Sequence, residues 1–289
     1  MAKILIIADQ SKTCSATPRG LELAAKLGLD VEVVAFSYTS FKSLRLKPAE
    51  QAKMKKRVLK DREQATKALI KKYQVRGQKI ALKVLWEKDV ERWVCKQCAG
   101  GRYAAVVKTG SKSHTVVHSS VDWQLLRECA APVLLVAQKK WHRAKPVLVT
   151  LDLSSTVARK RALNRKVLEA GRDLAAALEV ELKIITAIEI PALLSDLDLV
   201  DPIAYVRDAR EAMKPQIKKL AADFGIPEKA FYCKRGPVEQ VIASQAAKVR
   251  AQIVVMGTVA RTGVRARLLG NTAERVLRFM KTDVLAIKP

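Results

Sequence analysis

The amino-acid sequence repeats one pattern of secondary structure at about half its length of 289 residues. Asp9 follows an apolar run at 4–8, and Asp152 follows a similar run at 147–151. Leu-Leu-Arg at 125–127 and Val-Leu-Arg at 276–278 each precede a last apolar run by the same distance. A period this long indicates a duplicated domain rather than a solenoid. The sequence therefore predicts domains at 1–140 and 146–289, joined by a polar, basic linker at about 138–145.

In each half, short apolar runs alternate with segments of helical periodicity, which is typical of parallel sheets with helical connections. The predicted strands are 4–8, 31–36, 79–86, 103–108 and 132–137, then 147–151, 182–188, 230–234, 251–256 and 284–287. The predicted helices are 17–27, 48–73, 89–99 and 122–129, then 157–178, 202–224, 237–249 and 272–280. Pro215 is expected to kink or split the helix that contains it. The fold class is α/β, with two tandem, doubly wound, parallel five-stranded sheets.

The charge is strongly positive and unevenly distributed. The chain has 54 Lys and Arg against 28 Asp and Glu, and residues 1–145 hold 30 of the basic but only 12 of the acidic residues. Such an excess attracts polyanions, so the first half favours polyanion or RNA binding as one hypothesis. The candidate face is a lysine-rich helix with Lys53, Lys55, Lys56, Arg57, Lys60, Lys67, Lys71 and Lys72. Only Tyr73 is an aromatic neighbour in the sequence, which favours a solvated helix face over base stacking.

One segment of the second half has the spacing of a phosphate-binding loop. Met256-Gly257-Thr258 follows a predicted strand, and Gly270-Asn271-Thr272 opens the last predicted helix. Glycine allows backbone N–H groups to approach an anion, and a helix N-terminus favours phosphate. Ligands of parallel sheets bind at the carboxyl ends of the strands, where Asp152 also lies. A purely structural loop fits the same spacing, and neither Walker nor Rossmann spacing is present.

The order of these motifs resembles the universal stress protein family over the whole chain, in its tandem-domain type. The resemblance is carried by Gly-Thr-Val-Ala-Arg-Thr-Gly at 257–263, Leu-Leu-Gly-Asn-Thr-Ala-Glu at 268–274, and Asp-Trp-Gln-Leu-Leu-Arg at 122–127. It implies the adenine nucleotide alpha hydrolase-like fold. It also implies that the two domains pair within the chain as a pseudo-dimer, with further homodimerisation left open.

The resemblance implies an ATP site, or a site for another phosphate-bearing ligand, in the second domain. The family's ATP-binding loop reads Gly, two residues, Gly, nine residues, Gly and then Ser or Thr. Its second glycine falls on Ala260 and its hydroxyl position on Asn271, which departs from the motif but still allows capping and hydrogen bonding. The implied site residues are Leu151, Asp152 and Ala187 for adenine, with Met256, Gly257, Ala260, Gly270, Asn271 and Thr272 around the phosphates.

The first domain departs further from the family's loop. Ser119 and Ser120 stand where the later glycine is expected, so no nucleotide is expected there. Asp9 remains, and Lys108, Lys112 and nearby hydroxyl groups are candidates for holding some other anion.

Other reactive side chains favour structural interpretations. Cys95 and Cys98 form a C-x-x-C pair late in a predicted helix, where the helix dipole does not lower the thiol pKa, and a second pair for zinc is missing. His114 and His118 lie in a predicted loop without a nearby carboxylate, so no metal is expected. No catalytic motif is evident, which predicts a non-enzymatic protein, with slow ATP hydrolysis left open.

The remaining features concern location and role. No apolar run approaches the roughly 20 residues of a membrane helix, and the N-terminus does not resemble a signal peptide. Five scattered cysteines do not indicate a disulfide framework, so the sequence predicts a cytoplasmic protein. Three hypotheses of function follow from the sequence. The protein is a stress-response protein that binds a nucleotide, a polyanion- or RNA-binding protein, or an interaction scaffold that binds no ligand or an apolar one.

Overall fold

The computed structural model describes residues 2–9, 15–41, 46–110, 117, 120–139, 141–191, 193, 200–258 and 270–289. Contacts between Cα atoms divide the chain into two compact units. The first holds Met1–Lys112 and His118–Gln138, and the second holds Ser113–Val117 and Lys139–Pro289.

The first unit is built on five parallel strands. They are β1 (Lys3–Ala8), β2 (Asp30–Ser37), β3 (Ile80–Trp86), β4 (Tyr103–Thr109) and β5 (Val133–Val136), in the spatial order β3-β2-β1-β4-β5. The connecting helices are α1 (Ala16–Lys26), α2 (Pro48–Tyr73), α3 (Val90–Cys98) and α4 (Ser120–Glu128). Helix α1 packs with α2, and α3 packs with α4.

The second unit repeats this arrangement with five further parallel strands. They are β6 (Val147–Thr150), β7 (Leu182–Ile188), β8 (Phe231–Arg235), β9 (Ile253–Gly257) and β10 (Asp283–Ile287), in the order β8-β7-β6-β9-β10. Its helices are α5 (Ala158–Leu178), α6 (Pro202–Phe224), α7 (Val238–Lys248) and α8 (Asn271–Phe279). The strand order reverses between β6 and β9, and a sheet of this kind has its ligand crevice at such a switch point.

The central strands of each unit are buried on both faces. Leu5 and Ile6 in β1 and Leu148 in β6 have no exposed surface. Because residues 4–8 of β1 and 147–149 of β6 are all buried, they appear in the sequence as continuous apolar runs rather than alternating patterns. Among the described residues, no helix combines the length and apolar character needed to cross a membrane.

Helix α6 runs without interruption through Pro215, so the split that the sequence allowed does not occur. Met213 and Leu220, on either side of the proline, are both buried. This packing fixes both halves of the helix against the unit and offsets the hydrogen bond that proline cannot donate.

The first helix of each unit lies very close to the first strand because a glycine faces the strand. A methyl group at Gly171 in α5 would overlap Val149 Cγ2 in β6. A methyl group at Gly20 in α1 would lie 2.6 Å from Ile6 Cδ1 in β1. Both contacts are closer than side chains tolerate, so the glycines set the distance from helix to sheet.

Backbone hydrogen bonds establish which residues of the two units correspond at the carboxyl ends of the strands. Gly110 N–H donates to the Val136 carbonyl oxygen, and Thr258 N–H donates to that of Ile287, each at 2.8 Å. Thr109 therefore corresponds to Gly257, and Lys108 corresponds to Met256.

The first unit contains a buried ion pair near this edge. Lys108 Nζ lies 2.6 Å from Asp122 Oδ1, and the Asp122 side chain is fully buried. Lys108 Nζ also donates to the Thr109 carbonyl oxygen at 2.9 Å. This engagement of the Lys108 ammonium group counts against the interpretation that it holds an external anion, and Lys112, the other candidate, lies outside the described residues. The repeated Leu-Leu-Arg motif makes Ala273 the counterpart of Asp122, so the second unit has Met256 and Ala273 in place of the ion pair.

Asp122→Ala is expected to destabilise the protein by about 3–5 kcal/mol, because it leaves the Lys108 ammonium group buried without its counter-charge. Adding Lys108→Met, which completes the pair found in the second unit, should recover most of that loss. Urea unfolding measures both effects. Glu63→Ala, which breaks the exposed Lys67–Glu63 pair, is the control and should cost less than about 1 kcal/mol. Equal losses for Asp122→Ala and Glu63→Ala would contradict the assigned role of the buried pair.

Gly171→Ala is expected to destabilise the protein by about 1–3 kcal/mol, because the new methyl group must displace Val149 in a packed core. The matched control is Gly100→Ala, where the nearest atom is Arg102 Nε at 4.0 Å. Calorimetric unfolding should show a lower transition temperature for the first variant and an unchanged one for the second. An unchanged transition for Gly171→Ala would show that the contact of α5 with β6 is not tight.

Candidate functional site

A cavity of about 540 Å³ opens at the carboxyl ends of β6, β7 and β9 in the second unit. Its volume is within the range of small-molecule binding sites. The residues that the sequence analysis placed in the site come from separate parts of the chain, and the structure brings the described ones together around this cavity. They are Leu151, Asp152, Ala187, Met256, Gly257, Gly270, Asn271 and Thr272. Ala260 lies outside the described residues.

Packing against α5 leaves no room for a side chain at Gly257. A methyl group at this position would lie 2.7 Å from Leu163 Cδ2 and 3.4 Å from Val167 Cγ2, both in α5. The close approach of backbone to an anion, which the loop spacing suggested for this glycine, is therefore not needed to explain it. Thr258 is turned away into β10, where its hydroxyl group donates to the Ile287 carbonyl oxygen at 3.2 Å.

Asp152 is held in place by three side chains. Its carboxylate accepts hydrogen bonds from Ser154 Oγ at 2.9 Å and from Lys160 Nζ at 3.0 Å. Asn164 Nδ2 donates to the Asp152 carbonyl oxygen at 2.8 Å, and the Asp152 N–H donates to Asn164 Oδ1 at 3.2 Å. The sequence identified Asp152 but not Ser154, Lys160 and Asn164, because the position of a polar residue before or within a helix does not show which residue it will contact.

The backbone of Leu151 is also occupied. Its N–H donates to the Ile185 carbonyl oxygen at 3.1 Å, and its carbonyl oxygen accepts from Thr186 Oγ1 at 3.0 Å. Ala187 lies two residues beyond Ile185, so its backbone groups point to the same side of β7. Strand β6 ends at Thr150, and the backbone of Ala187 therefore borders the cavity beyond the end of that strand.

The N-terminus of α8 forms the opposite side of the cavity. Gly270 holds the N-cap position and makes no side-chain cap, and Asn271 is the first helical residue. The capping role suggested for Asn271 is therefore not observed. The first N–H groups of a helix have no partner within the helix, and together with the helix dipole they favour an anion. Asn271 and Thr272 are both exposed at this point.

The inner wall of the cavity is apolar. It is formed by Leu163, Ile185, Val238, Ile242, Met256 and Val276. A wall of this kind next to convergent polar groups is typical of sites that bind a ligand with a flat ring and a charged tail.

An arginine paired with a glutamate that lines the cavity connects three elements. Arg275 Nη2, in α8, lies 3.5 Å from Glu189 Oε2, just beyond β7, and 3.4 Å from Glu239 Oε2, in the first turn of α7. Glu189 lines the cavity and Glu239 is mostly buried. Neither acid was predicted, since the sequence does not show which helix ends meet.

At the corresponding edge of the first unit, the described residues form hydrogen bonds with one another. Thr109, the counterpart of Gly257, donates its hydroxyl hydrogen to Asp9 Oδ2. The Thr109 hydroxyl oxygen also accepts from the N–H of Ala16 at 2.8 Å and from that of Ser15 at 3.3 Å. Arg62 Nη2 donates to the Ala8 carbonyl oxygen at 2.8 Å. The N-terminus of α1 is therefore satisfied by Thr109, whereas the glycine in the second unit brings no such group.

The cysteine and histidine candidates do not form a site among the described residues. Cys95 and Cys98 lie in the last turn of α3, with Cys98 buried. Burial raises the pKa of the Cys233 thiol, so it stays protonated and unreactive at neutral pH. No group of three His, Cys, Asp or Glu within the described part of the chain is arranged to hold a metal. His114 and His118 lie outside that part.

Comparison with known sequences gives a consistent result. The sequence profile of the universal stress protein family matches residues 144–288. Universal stress protein E of Escherichia coli K12 is 30% identical over 273 residues, which cover 92% of this chain and 86% of that protein. The universal stress protein E homolog of Haemophilus influenzae is 28% identical over 274 residues, which cover 93% and 88% of the two chains.

Solved structures share the fold over the full length. A universal stress protein from Archaeoglobus fulgidus has a TM-score of 0.68 at 18% identity, covering 99% of this chain and 98% of that one. A functionally unknown protein from Pseudomonas aeruginosa PAO1 has a TM-score of 0.70 at 22% identity, covering 100% and 93%. These likenesses confirm the α/β fold predicted from the sequence. With the family match and the 30% identity over most of the chain, they show that the chain belongs to the universal stress protein family, as a tandem member of the universal stress protein E type.

Proposed function

We propose that this stress-response protein binds an adenine nucleotide, with ATP as its ligand, in the cavity of the second unit. The observation that carries the proposal is the convergence of residues from β6, β7, β9 and α8 on one cavity of about 540 Å³. These residues are up to about 120 positions apart in the sequence, and they occupy positions of the family's nucleotide-binding pattern.

The phosphate groups would lie at the N-terminus of α8. Gly270 leaves this end uncapped, and the exposed residues Asn271 and Thr272 supply amide and hydroxyl donors. Lys160 supplies a cation on the other side. Its pair with Asp152 is about half exposed, with 45% and 46% of the two side chains accessible. Pairs this exposed are worth about 0–1 kcal/mol, so Lys160 can turn to a phosphate at little cost.

The adenine ring would lie against the apolar wall near Ile185 and Met256. The N–H groups of Leu151 and Asp152 already donate to Ile185 and Asn164. Ala187, whose backbone borders the cavity, is therefore the better candidate to form hydrogen bonds with the edge of the base. This assigns Leu151 and Asp152 a role in shaping the pocket rather than in direct hydrogen bonding to adenine.

The geometry favours binding over hydrolysis. Among the described residues, Asp152 and Glu189 are the carboxylates that line the cavity; Asp152 accepts a hydrogen bond from Ser154 Oγ at 2.9 Å, and Glu189 is paired with Arg275. A general base for water activation requires a carboxylate that is free to accept a proton at the attacking water. The protein would therefore act as a nucleotide-dependent binding protein rather than as a classical enzyme.

ATP is expected to raise the unfolding temperature in a saturable manner and to bind with a stoichiometry of one per chain in calorimetric titration. At 100 times the dissociation constant, the stabilisation should approach about 2.7 kcal/mol. A single site is expected because Thr109 and the Lys108–Asp122 pair occupy the corresponding edge of the first unit. No stabilisation by millimolar ATP would exclude the proposal, and stabilisation by an apolar compound instead would point to a different ligand class.

Asn271→Glu tests the position of the phosphates. A carboxylate in the first turn is compatible with the helix, because negative charge there is stabilising, but it repels phosphate. Affinity for ATP should fall about tenfold or more, since a like charge now stands within a few ångströms of the bound phosphates. The unfolding temperature without ligand should remain unchanged or rise.

Ser120→Glu is the matched control. Ser120 is the first residue of α4, the counterpart of α8, and is exposed like Asn271. The same charge is added in the first unit, so the two variants have the same net charge. Equal ATP affinity of the two variants would show that the phosphates do not lie at α8.

A further inference from the structure

Three aromatic side chains gather at the carboxyl edge of the first unit's sheet. Tyr38 and Phe41 follow β2, and Trp86 ends β3. The ring of Phe41 stacks on that of Trp86, with centroids 5.5 Å apart and an interplanar angle of 17°. The ring of Tyr38 lies 5.9 Å from that of Trp86 at an angle of 54°. These three residues are called the aromatic cluster.

The aromatic cluster is not part of the core. Tyr38 is 48% exposed, and Phe41 and Trp86 are half-buried. Phe36, two residues before Tyr38 and within β2, provides the contrast, since it is buried at 3% exposure and pairs edge-to-face with Trp93. Phe36 thus packs in the core of the unit, whereas the aromatic cluster exposes part of its ring surface to solvent.

Helix α2 brings positive charge to the cluster. Lys55 Nζ lies 5.6 Å from the centroid of the Trp86 ring, which is within range of a cation–π contact. Lys53, Lys56 and Lys60 lie on the same stretch of the helix and are exposed. Among the described residues, Arg57 and Lys67 are paired with Asp61 and Glu63, while no carboxylate is recorded as a partner of these three lysines.

The sequence separates these features widely, which is why they were not connected. The lysine-rich helix has only Tyr73 beside it in the sequence, and base stacking was therefore disfavoured. The fold places Trp86 from β3 beside Lys55 in the N-terminal half of α2. The aromatic cluster and Lys55 thus form one exposed surface, and the exposed Lys53, Lys56 and Lys60 lie about 100–160° around the helix axis from Lys55.

We propose that this surface binds single-stranded nucleic acid, with unpaired bases stacking on the aromatic cluster and backbone phosphates contacting the lysines of α2. Charge complementarity selects a polyanion, because residues 1–145 carry 30 basic against 12 acidic residues. The exposed rings select among polyanions, since stacking requires bases that are not already paired. The bases of a duplex stack on each other, and inorganic polyphosphate has no rings. Either would contact only the lysines.

Fluorescence anisotropy with labelled oligouridine and oligothymidine tests the proposal on the full-length protein. Both single strands should bind, and affinity should fall steeply with salt concentration. Tyr38→Ala should weaken binding about tenfold, as expected for the loss of one stacked base. Tyr38 is exposed, so the variant should keep its unfolding temperature.

Two matched controls separate stacking from simple attraction. Tyr73→Ala removes an exposed tyrosine that also lies beside a lysine, with Lys72 Nζ 5.2 Å from its ring centroid, but at the far end of α2. It should leave affinity unchanged. Replacing Lys55 and Lys56 with Gln should weaken binding more than replacing Lys71 and Lys72 with Gln, although both pairs remove the same charge.

The proposal is overturned by any of three results. The first is absence of binding to either oligonucleotide at low salt. The second is equal affinity for a duplex of the same length or for polyphosphate of the same charge. The third is an equal effect of Tyr38→Ala and Tyr73→Ala, or of the two lysine pairs. Retention of binding in Asn271→Glu would support a surface separate from the cavity of the second unit, and loss of binding there would count against it.

Discussion

The close packing of α5 against β6 and β9 is the constraint on which the cavity of the second unit depends. Gly171 brings the helix onto Val149, and Gly257 accommodates Leu163 and Val167 from the same helix. Both glycines are therefore explained by contact with one helix. With α5 fixed in this way, Asn164 reaches the backbone of Asp152 and holds the residue that follows β6. The position of Asp152, and the opening beside it, follow from this packing.

The two units show how few residues separate an open edge from a filled one. Both have the same strand order and the same hydrogen bond after the fourth strand. The first unit carries Lys108, Thr109 and Asp122, and the second carries Met256, Gly257 and Ala273 at the corresponding positions. In the first unit, the hydroxyl group of Thr109 satisfies the N-terminus of α1, and the ion pair occupies the interior. In the second, smaller or apolar groups face a cavity.

Much of the fold follows from the sequence because the period of the apolar residues depends on local structure alone. The helices at Pro48–Tyr73 and Pro202–Phe224 and the strand at Leu182–Ile188 have the predicted bounds. The continuity of α6 through Pro215 was not predictable, because it depends on the burial of Met213 and Leu220 in the assembled unit. Local preference is the weaker influence where tertiary packing acts on both sides of a residue.

The candidate site was predictable to the extent that its residues belong to one recognisable motif. Gly257, Gly270 and Asn271 could be identified in this way, as could Asp152 from its place after a strand. Lys160, Asn164, Glu189 and Arg275 could not, because nothing in their spacing shows that they converge. The aromatic cluster was missed for the same reason, since Tyr38 and Trp86 are nearly fifty positions apart.

The buried Lys108–Asp122 pair has a consequence for how such proteins diverge. In an assembly of two identical chains, a substitution that fills one pocket fills its twin as well. A chain that contains both copies is free of that coupling, and each copy can acquire its own interior without altering the other. Covalent duplication therefore allows one protein to keep an open crevice in one half while the other half carries a buried ion pair at the corresponding position.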